Sequence, residues 1–351
     1  MPGGPADLTV NELILAYLQH AKTYYRKNNR PTGEMDALKA ALQVLRQSYG
    51  DVVCSAFGPL KLKAVRERMT TDKGWCRNNV NRSVGRIRRM FKWGVANQMI
   101  PPSVYQALAA VDGLRRGRSE ARETEPITPV PDGVVQAVLP HVAPEVRAMI
   151  ELQELCGCRP SEVVAMRGCD LTTDGDLWEY RPAEHKTQHH GRDRVIMLGP
   201  RAQAIIKPYL RTDTEAFLFS PAVAEDRRNA ERRAKRKSPM TPSQAKRRRK
   251  RKPKRIPQSR YTVDSYRRAI HRGCDRAWSA PKGLKPAEVA AWHQEHRWSP
   301  NRLRHSRATK IRRQYGIEAA RVVLGHASAI TTEIYAEADL GAARRIAAEV
   351  G

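Results

Sequence analysis

The chain has 351 residues, enough for two domains that each bury a core of their own. Lys and Arg outnumber Asp and Glu by 64 to 36, a formal charge of +28, which points to a polyanionic partner and to nucleic acid first. The 6% aromatic content weighs against a module that works by stacking single-stranded bases. No apolar run reaches membrane-spanning length and "MPGGPADLTVNELI" lacks a signal-peptide core, so the expectation is a cytoplasmic protein with no membrane partner.

Residues 7 to 110 read as helical throughout. "LTVNELILAYLQHAKTYYRK" has apolar residues at helical spacing, with Thr9 or Asn11 available as the cap. "GEMDALKAALQVLRQSYG" repeats the pattern and stops at Gly50, and "PLKLKAVRERMT" follows. "CRNNVNRSVGRIRRMFKWGVANQMIPP" puts Val80, Val84, Ile87, Phe91 and Val95 on one face and Arg82, Arg86 and Arg89 on another. Such a basic face suits DNA phosphates, and it equally suits a solvated surface. Residues 112–128, charged and rich in Gly and Pro, read as a linker between domains 1–111 and 129–351.

Helical pattern returns in "VVQAVLPHVAPEVRAMIELQELCG" and runs into "CRPSEVVAM". Pro160 fits a first helical turn, where its missing N–H costs nothing. Arg159 therefore stands at a helix start, where free N–H groups and a guanidinium together would attract an anion; taken alone, the turn reads better as a cap with a surface arginine. Leu177–Arg181 and Arg194–Leu198 are suited to the strands of a β-hairpin, with Lys186 near its turn. Residues 224–257 form a basic insertion expected to be disordered. Within it, Arg227 to Arg255 hold 16 Lys and Arg and one acid, with Arg247, Arg248, Arg249 and Lys250 at the densest point. The rest of the chain is still basic without it. The six cysteines (Cys54, Cys76, Cys156, Cys158, Cys169 and Cys274) lie outside paired C-x-x-C knuckles, so no metal is expected. Cys156 and Cys158 with His185 could be set out as ligands, but small buried residues suit that apolar stretch better.

Four separated elements then line up: Arg159 with Glu162 three residues on, Lys186 on the hairpin, "RLRHSRAT", and "LGHASAITTEIYAEAD". In this order they resemble the tyrosine recombinase (phage integrase) family over about residues 130 to 345. The resemblance implies a mainly α (α+β) fold. A helical core-binding domain and a mostly helical catalytic domain with a small antiparallel sheet would form a C-shaped clamp on DNA. Matched motif by motif, it implies a site made of Arg159, Glu162, Lys186, Arg304, His326 and Tyr335. Asn301 stands where the family usually has a histidine, and asparagine can donate a hydrogen bond but cannot serve as a base.

The chemistry suits these residue types. Tyr335 would attack a DNA phosphodiester and leave a 3′-phosphotyrosyl link that stores the strand's bond energy, so no cofactor is implied. Arg159 and Arg304 would hold the non-bridging oxygens with permanently charged forks, Lys186 would protonate the leaving 5′-oxygen, and His326 would bond the phosphate. Glu162 would orient its neighbours, and His305 would pack or cap within its helix. The phenol's proton would pass to His326, to water or to His296. The partners implied are double-stranded recombination sites, further copies of the chain as a tetramer on two sites, and accessory DNA-bending or directionality proteins. The protein would be nucleoid-associated, and the setting would be integration or excision of a mobile element. Two other readings fit the same residues: a type IB topoisomerase-like enzyme that relaxes DNA, and a catalytically impaired architectural DNA binder.

Overall fold

In the computed structural model of the chain, Thr9 caps the first helix, α1 (Val10–Tyr24): its hydroxyl accepts from the Glu12 N–H while Glu12 accepts from the Thr9 N–H. The structure describes residues 8–27, 29–184, 193–246, 256–326, 328–335 and 347–349. They fall into two compact units, Met1–Pro126 and Ile127–Gly351.

The first unit packs α1, α2 (Glu34–Tyr49), α3 (Pro59–Thr71), α4 (Arg77–Ala96) and α5 (Pro102–Ala109) around one core. Val80, Val84, Ile87 and Phe91 of α4 are buried there, and Phe57 stacks on Phe91 at 5.1 Å between centroids. The stretch is not helical throughout. Arg26–Lys27 (β1) and Arg30–Pro31 (β2) form a short antiparallel ribbon. Asn29 sits at its turn with φ 59°, a conformation asparagine tolerates, and Pro31 cannot extend a helix. The linker is also less free than its composition suggests. Asn81 exchanges hydrogen bonds with the Leu114 backbone, the Arg77 N–H donates to the Arg122 carbonyl, and Ala121 is buried.

The second unit centres on α7 (Pro144–Cys156), reached through α6 (Asp132–Val138). After α7 the chain makes a left-handed turn at Gly157 (φ 63°) and enters the short helix α8 (Pro160–Val164). A three-stranded antiparallel sheet follows, β3 (Leu171–Thr172), β4 (Trp178–Tyr180) and β5 (Ile196–Leu198), in that order. The expected hairpin is β4–β5; its tip, with His185, Lys186 and Gly191, lies outside the described residues. α9 (Pro200–Ile206) packs beside α7.

The basic insertion is not disordered from its start, because residues 224–234 belong to the helix α10 (Pro221–Ala234). Buried Ala224 and the 3.0 Å ion pair of Arg227 with Glu145 anchor that helix. Beyond Ala230 its residues are exposed, and α11 (Pro242–Ala245) is a single turn. Arg247, Arg248, Arg249 and Lys250 lie outside the described residues.

α12 (Val263–Ala277), α13 (Pro286–His296), α14 (Asn301–Leu324) and α15 (Ala329–Tyr335) complete the unit. α14 breaks at Gly316, which takes φ 82°. Its first turns hold the incoming chain: Arg302 donates to the Thr128 and Pro129 carbonyls, and Ser306 both accepts from and donates to the Val130 backbone. No helix among the described residues is long and apolar enough to cross a membrane.

Candidate active site

Two glycine-capped helix ends meet a buried arginine. Arg304, on α14, has no exposed surface. Its Nη1 donates to the Gly157 carbonyl at the end of α7 (2.6 Å), and its Nη2 donates to the Leu324 carbonyl at the end of α14 (2.7 Å). Helix C-termini carry partial negative charge, so both ends favour a cation. The two caps, Gly157 and Gly325, are left-handed with φ 63° each. Glycine reaches that conformation without the clash a Cβ meets, and here a Cβ on Gly157 would also press on Leu324. "CGCR" and "LGH", far apart in the chain, thus aim two sets of carbonyls at one guanidinium. Burial, then the nearby Arg159 charge, pulls the Arg304 pKa down to about 10, so it remains charged at neutral pH.

Arg304 also fixes the histidine. Its Nη2 donates to His326 Nε2 at 2.8 Å, and arginine cannot accept, so Nε2 carries the lone pair. His326 Nδ1 then bears the hydrogen and gives it to Thr332 Oγ1 (3.0 Å), whose own hydroxyl donates to the Ser328 carbonyl. Burial, followed by the charges of Arg304, Arg159 and Arg194, drives the His326 pKa down to about 3.

Arg159 stands where the sequence places it, at the start of α8, but the turn is not left open to an anion. Glu162, fully buried, accepts the Arg159 backbone N–H on Oε2 and the Arg159 Nη1 on Oε1, both at 2.7 Å. The guanidinium, rather than bare N–H groups, is what the turn offers. Tyr180 of β4 supports it by donating to the Glu162 carbonyl at 2.7 Å.

Tyr335 ends α15, half-buried, with the Arg304 guanidinium 5.5 Å from its ring centre and His326 at 5.0 Å. His305 does more than pack within its own helix: its ring stacks on Tyr335 at 4.4 Å, and burial holds its pKa down at about 4. Asn301 opens α14 half-buried, and no hydrogen bond of its side chain is found among the described residues. His296 is occupied elsewhere, donating to the Trp292 carbonyl and stacking on that indole at 3.9 Å.

Arg159, Glu162, Arg304, His326 and Tyr335 therefore come together, while Lys186 lies outside the described residues. Sequence reasoning missed Arg194 and Thr332. Arg194 lies buried 3.7 Å from Glu162. Thr332 stands three residues before Tyr335, a spacing that shares a helix face and could have flagged it. Of the basic residues expected to meet DNA, Arg82 and Arg89 are exposed. Arg86 is committed to Glu34, with Nε at 2.9 Å and Nη2 at 2.8 Å, and Arg89 also bonds Glu34 and the Tyr25 hydroxyl. Burial pushes the Cys156 thiol up to about 12.

The sequence profile of the phage integrase family matches residues 135–340, more than half of the chain. The chain belongs to that family, the tyrosine site-specific recombinases, and so to the enzymes that cut and rejoin DNA strands. Solved structures share the fold. The Tn1549 transposon integrase in complex with transposon right-end DNA is 15% identical, covers 96% of this chain and 98% of its own, and has a TM-score of 0.61. A λ integrase dimer bound to a COC′ core site is 13% identical, with 95% and 78% covered and a TM-score of 0.57. A λ integrase tetramer bound to a Holliday junction gives 12%, 95%, 79% and 0.53. No curated protein sequence matches the chain.

The His326 geometry has a measurable sign. An unfolded histidine protonates near 6.5, whereas the folded one waits until about 3. Its contribution to stability is thus present above pH 6.5 and is lost as pH falls toward 3. NMR of the labelled imidazole should show a neutral Nδ1–H ring from pH 8 to pH 5. A midpoint near 6 would contradict the geometry.

Proposed function

We propose that the chain is a site-specific DNA integrase that cuts one strand at a time through Tyr335. The phenol oxygen bonds to phosphorus as the P–O5′ bond breaks, leaving a 3′-phosphotyrosyl link and a free 5′-hydroxyl; attack by a 5′-hydroxyl from the partner strand reverses it. Arg159 and Arg304 bind the non-bridging oxygens, and Lys186 gives the leaving oxygen its proton. The observation that carries this reading is the meeting of Arg304, His326 and Tyr335 at the ends of separately capped helices.

The phenol's own proton goes to water. His326 is weakly basic and its lone pair already accepts from Arg304; His296 is held by Trp292, and Asn301 cannot accept a proton as a base. Glu162 orients Arg159, and His326, whose Nε2 accepts and whose Nδ1–H is given to Thr332, orients Arg304 rather than bonding the phosphate itself. Four protomers, two on each of two duplex sites, would exchange strands through a Holliday junction, as suits the λ integrase tetramer bound to one. Accessory DNA-bending or directionality proteins would set the outcome, and the setting is integration or excision of a mobile element, with the protein working on the nucleoid. The first unit, residues 1–111 joined by 112–128 to 129–351, would hold the duplex with Arg82 and Arg89 rather than with Arg86.

The test is covalent trapping. Protein incubated with randomised nicked duplexes, without metal or nucleotide, should give a DNA adduct on a denaturing gel. Tyr335→Phe should give none. An adduct that survives that substitution, or bound DNA without any adduct, contradicts the reading and favours a binding-only relative in which Asn301 has cost the chemistry. Exchange between two labelled duplexes then separates recombination from relaxation by a monomer.

The basic arm is proposed to lie along flanking phosphates, with Arg247, Arg248, Arg249 and Lys250 as its densest stretch of charge. It holds no aromatic residue to stack on bases. Replacing residues 235–255 with a Gly-Ser linker should flatten the dependence of log K on log salt by about 0.9 for each phosphate that the arm had neutralised. An unchanged slope contradicts the proposal.

A further inference from the structure

Arg194 was not among the family-matched residues, yet its side chain is only 4% exposed and sits inside the same cluster. It leads into β5 and reaches two features of the site. Its Nε lies 3.7 Å from Glu162 Oε1, too long for a hydrogen bond but close for opposite charges. Its Nη1 makes long hydrogen bonds to the Val195 and Val323 carbonyls, the second beside the Leu324 carbonyl that Arg304 uses. Its Nε and Nη2 are buried with no hydrogen-bond partner among the described residues. The Gly325 turn is shaped around it, because a Cβ on Gly325 would strike the guanidinium.

The charges explain why such a group is kept. Glu162 is needed to hold Arg159, through two hydrogen bonds, but its full negative charge would cancel the arginine it orients. Among the described residues the pocket holds three guanidiniums (Arg159, Arg194 and Arg304) and one carboxylate, a net charge of +2 with His326 neutral. A phosphodiester brings one negative charge, and the five-coordinate phosphorus formed during attack approaches two. The second negative charge therefore meets positive charge that the ground-state phosphate leaves uncompensated, which is the direction that speeds a reaction.

We infer that Arg194 is a positioning residue of the phosphate site: it offsets Glu162 and pins the Gly325 turn, so that Arg159 and Arg304 keep two uncompensated charges for the DNA phosphate. The inference rests on the reading of those two arginines as phosphate-binding groups. Arg194 itself touches no substrate.

A charge-compensation cycle tests it. Arg194→Met keeps the stem but removes the charge, Arg194→Lys keeps the charge, and Arg194→Met with Glu162→Gln removes both charges and restores the net +2. Two readouts are taken on the full chain. One is the affinity for inorganic phosphate at constant ionic strength, followed by the His326 imidazole resonances; the other is the single-turnover adduct rate. Arg194→Met should weaken phosphate binding tenfold or more, the scale of one unit charge at site distances, and slow adduct formation by at least as much. The double variant should recover most of the phosphate affinity but only part of the adduct rate, because glutamine can accept only one of the two Arg159 N–H bonds. Arg194→Lys should stay within about tenfold of the parent, allowing for its missing fork. A double variant no better than Arg194→Met, or an Arg194→Met indistinguishable from the parent, overturns the inference. If Arg194→Met does not fold, Arg194→Lys decides alone: a drop of tenfold or more in phosphate affinity overturns it. Because phosphate binding needs no nucleophile, failure of the Tyr335 reading would appear as an absent parent adduct with the phosphate cycle intact.

Discussion

A guanidinium with no exposed surface has to be solvated by protein, and the site is arranged around that requirement at Arg304. Burial of such an ion costs several kcal/mol even after relaxation. Three hydrogen bonds from a charged donor, at roughly 1.5–3 kcal/mol each, are of the size needed to offset it. Two of the acceptors are helix C-terminal carbonyls, whose dipoles suit a cation. The third is His326, which is thereby forced into one tautomer. Solvating one charge fixes the ends of α7 and α14, the ring of His326 and, through Thr332, the helix that ends on Tyr335.

The same constraint explains the glycines. A helix that ends on a left-handed residue turns its last carbonyls toward whatever lies beyond its end, and Gly157 and Gly325 both do this at the same guanidinium. It also explains the weak basicity of His326. A ring that accepts from one buried cation and faces two others cannot hold a proton easily, so it serves as a neutral, oriented group.

Much of this could be read from the chain because each piece has a local signature. The Arg159 turn announces itself through Pro160 and Glu162, and the apolar face of α4 through Val80, Val84, Ile87 and Phe91. What could not be read depends on distant partners. Arg86 looks like its neighbours Arg82 and Arg89 until Glu34, 52 residues away, closes on its fork. Arg194 looks like any strand-edge arginine until the Gly325 turn, far along the chain, buries it. His305 follows Arg304 directly, and only the return of α15 puts Tyr335 on its face. The Asn29 ribbon and the folded start of the basic insertion were hidden for the opposite reason: short local preferences there yielded to a tight turn and to a buried Ala224.

The most direct measurement is Arg304→Lys, read as single-turnover adduct rate against DNA affinity. Lysine keeps the charge but cannot bridge two helix ends and a histidine at once. The adduct rate should fall about a thousandfold or more while duplex affinity, spread over many phosphates, changes only a few-fold. A lysine variant that cleaves close to the parental rate would show that the charge alone suffices and that the two-ended clasp on Arg304 does not organise the site.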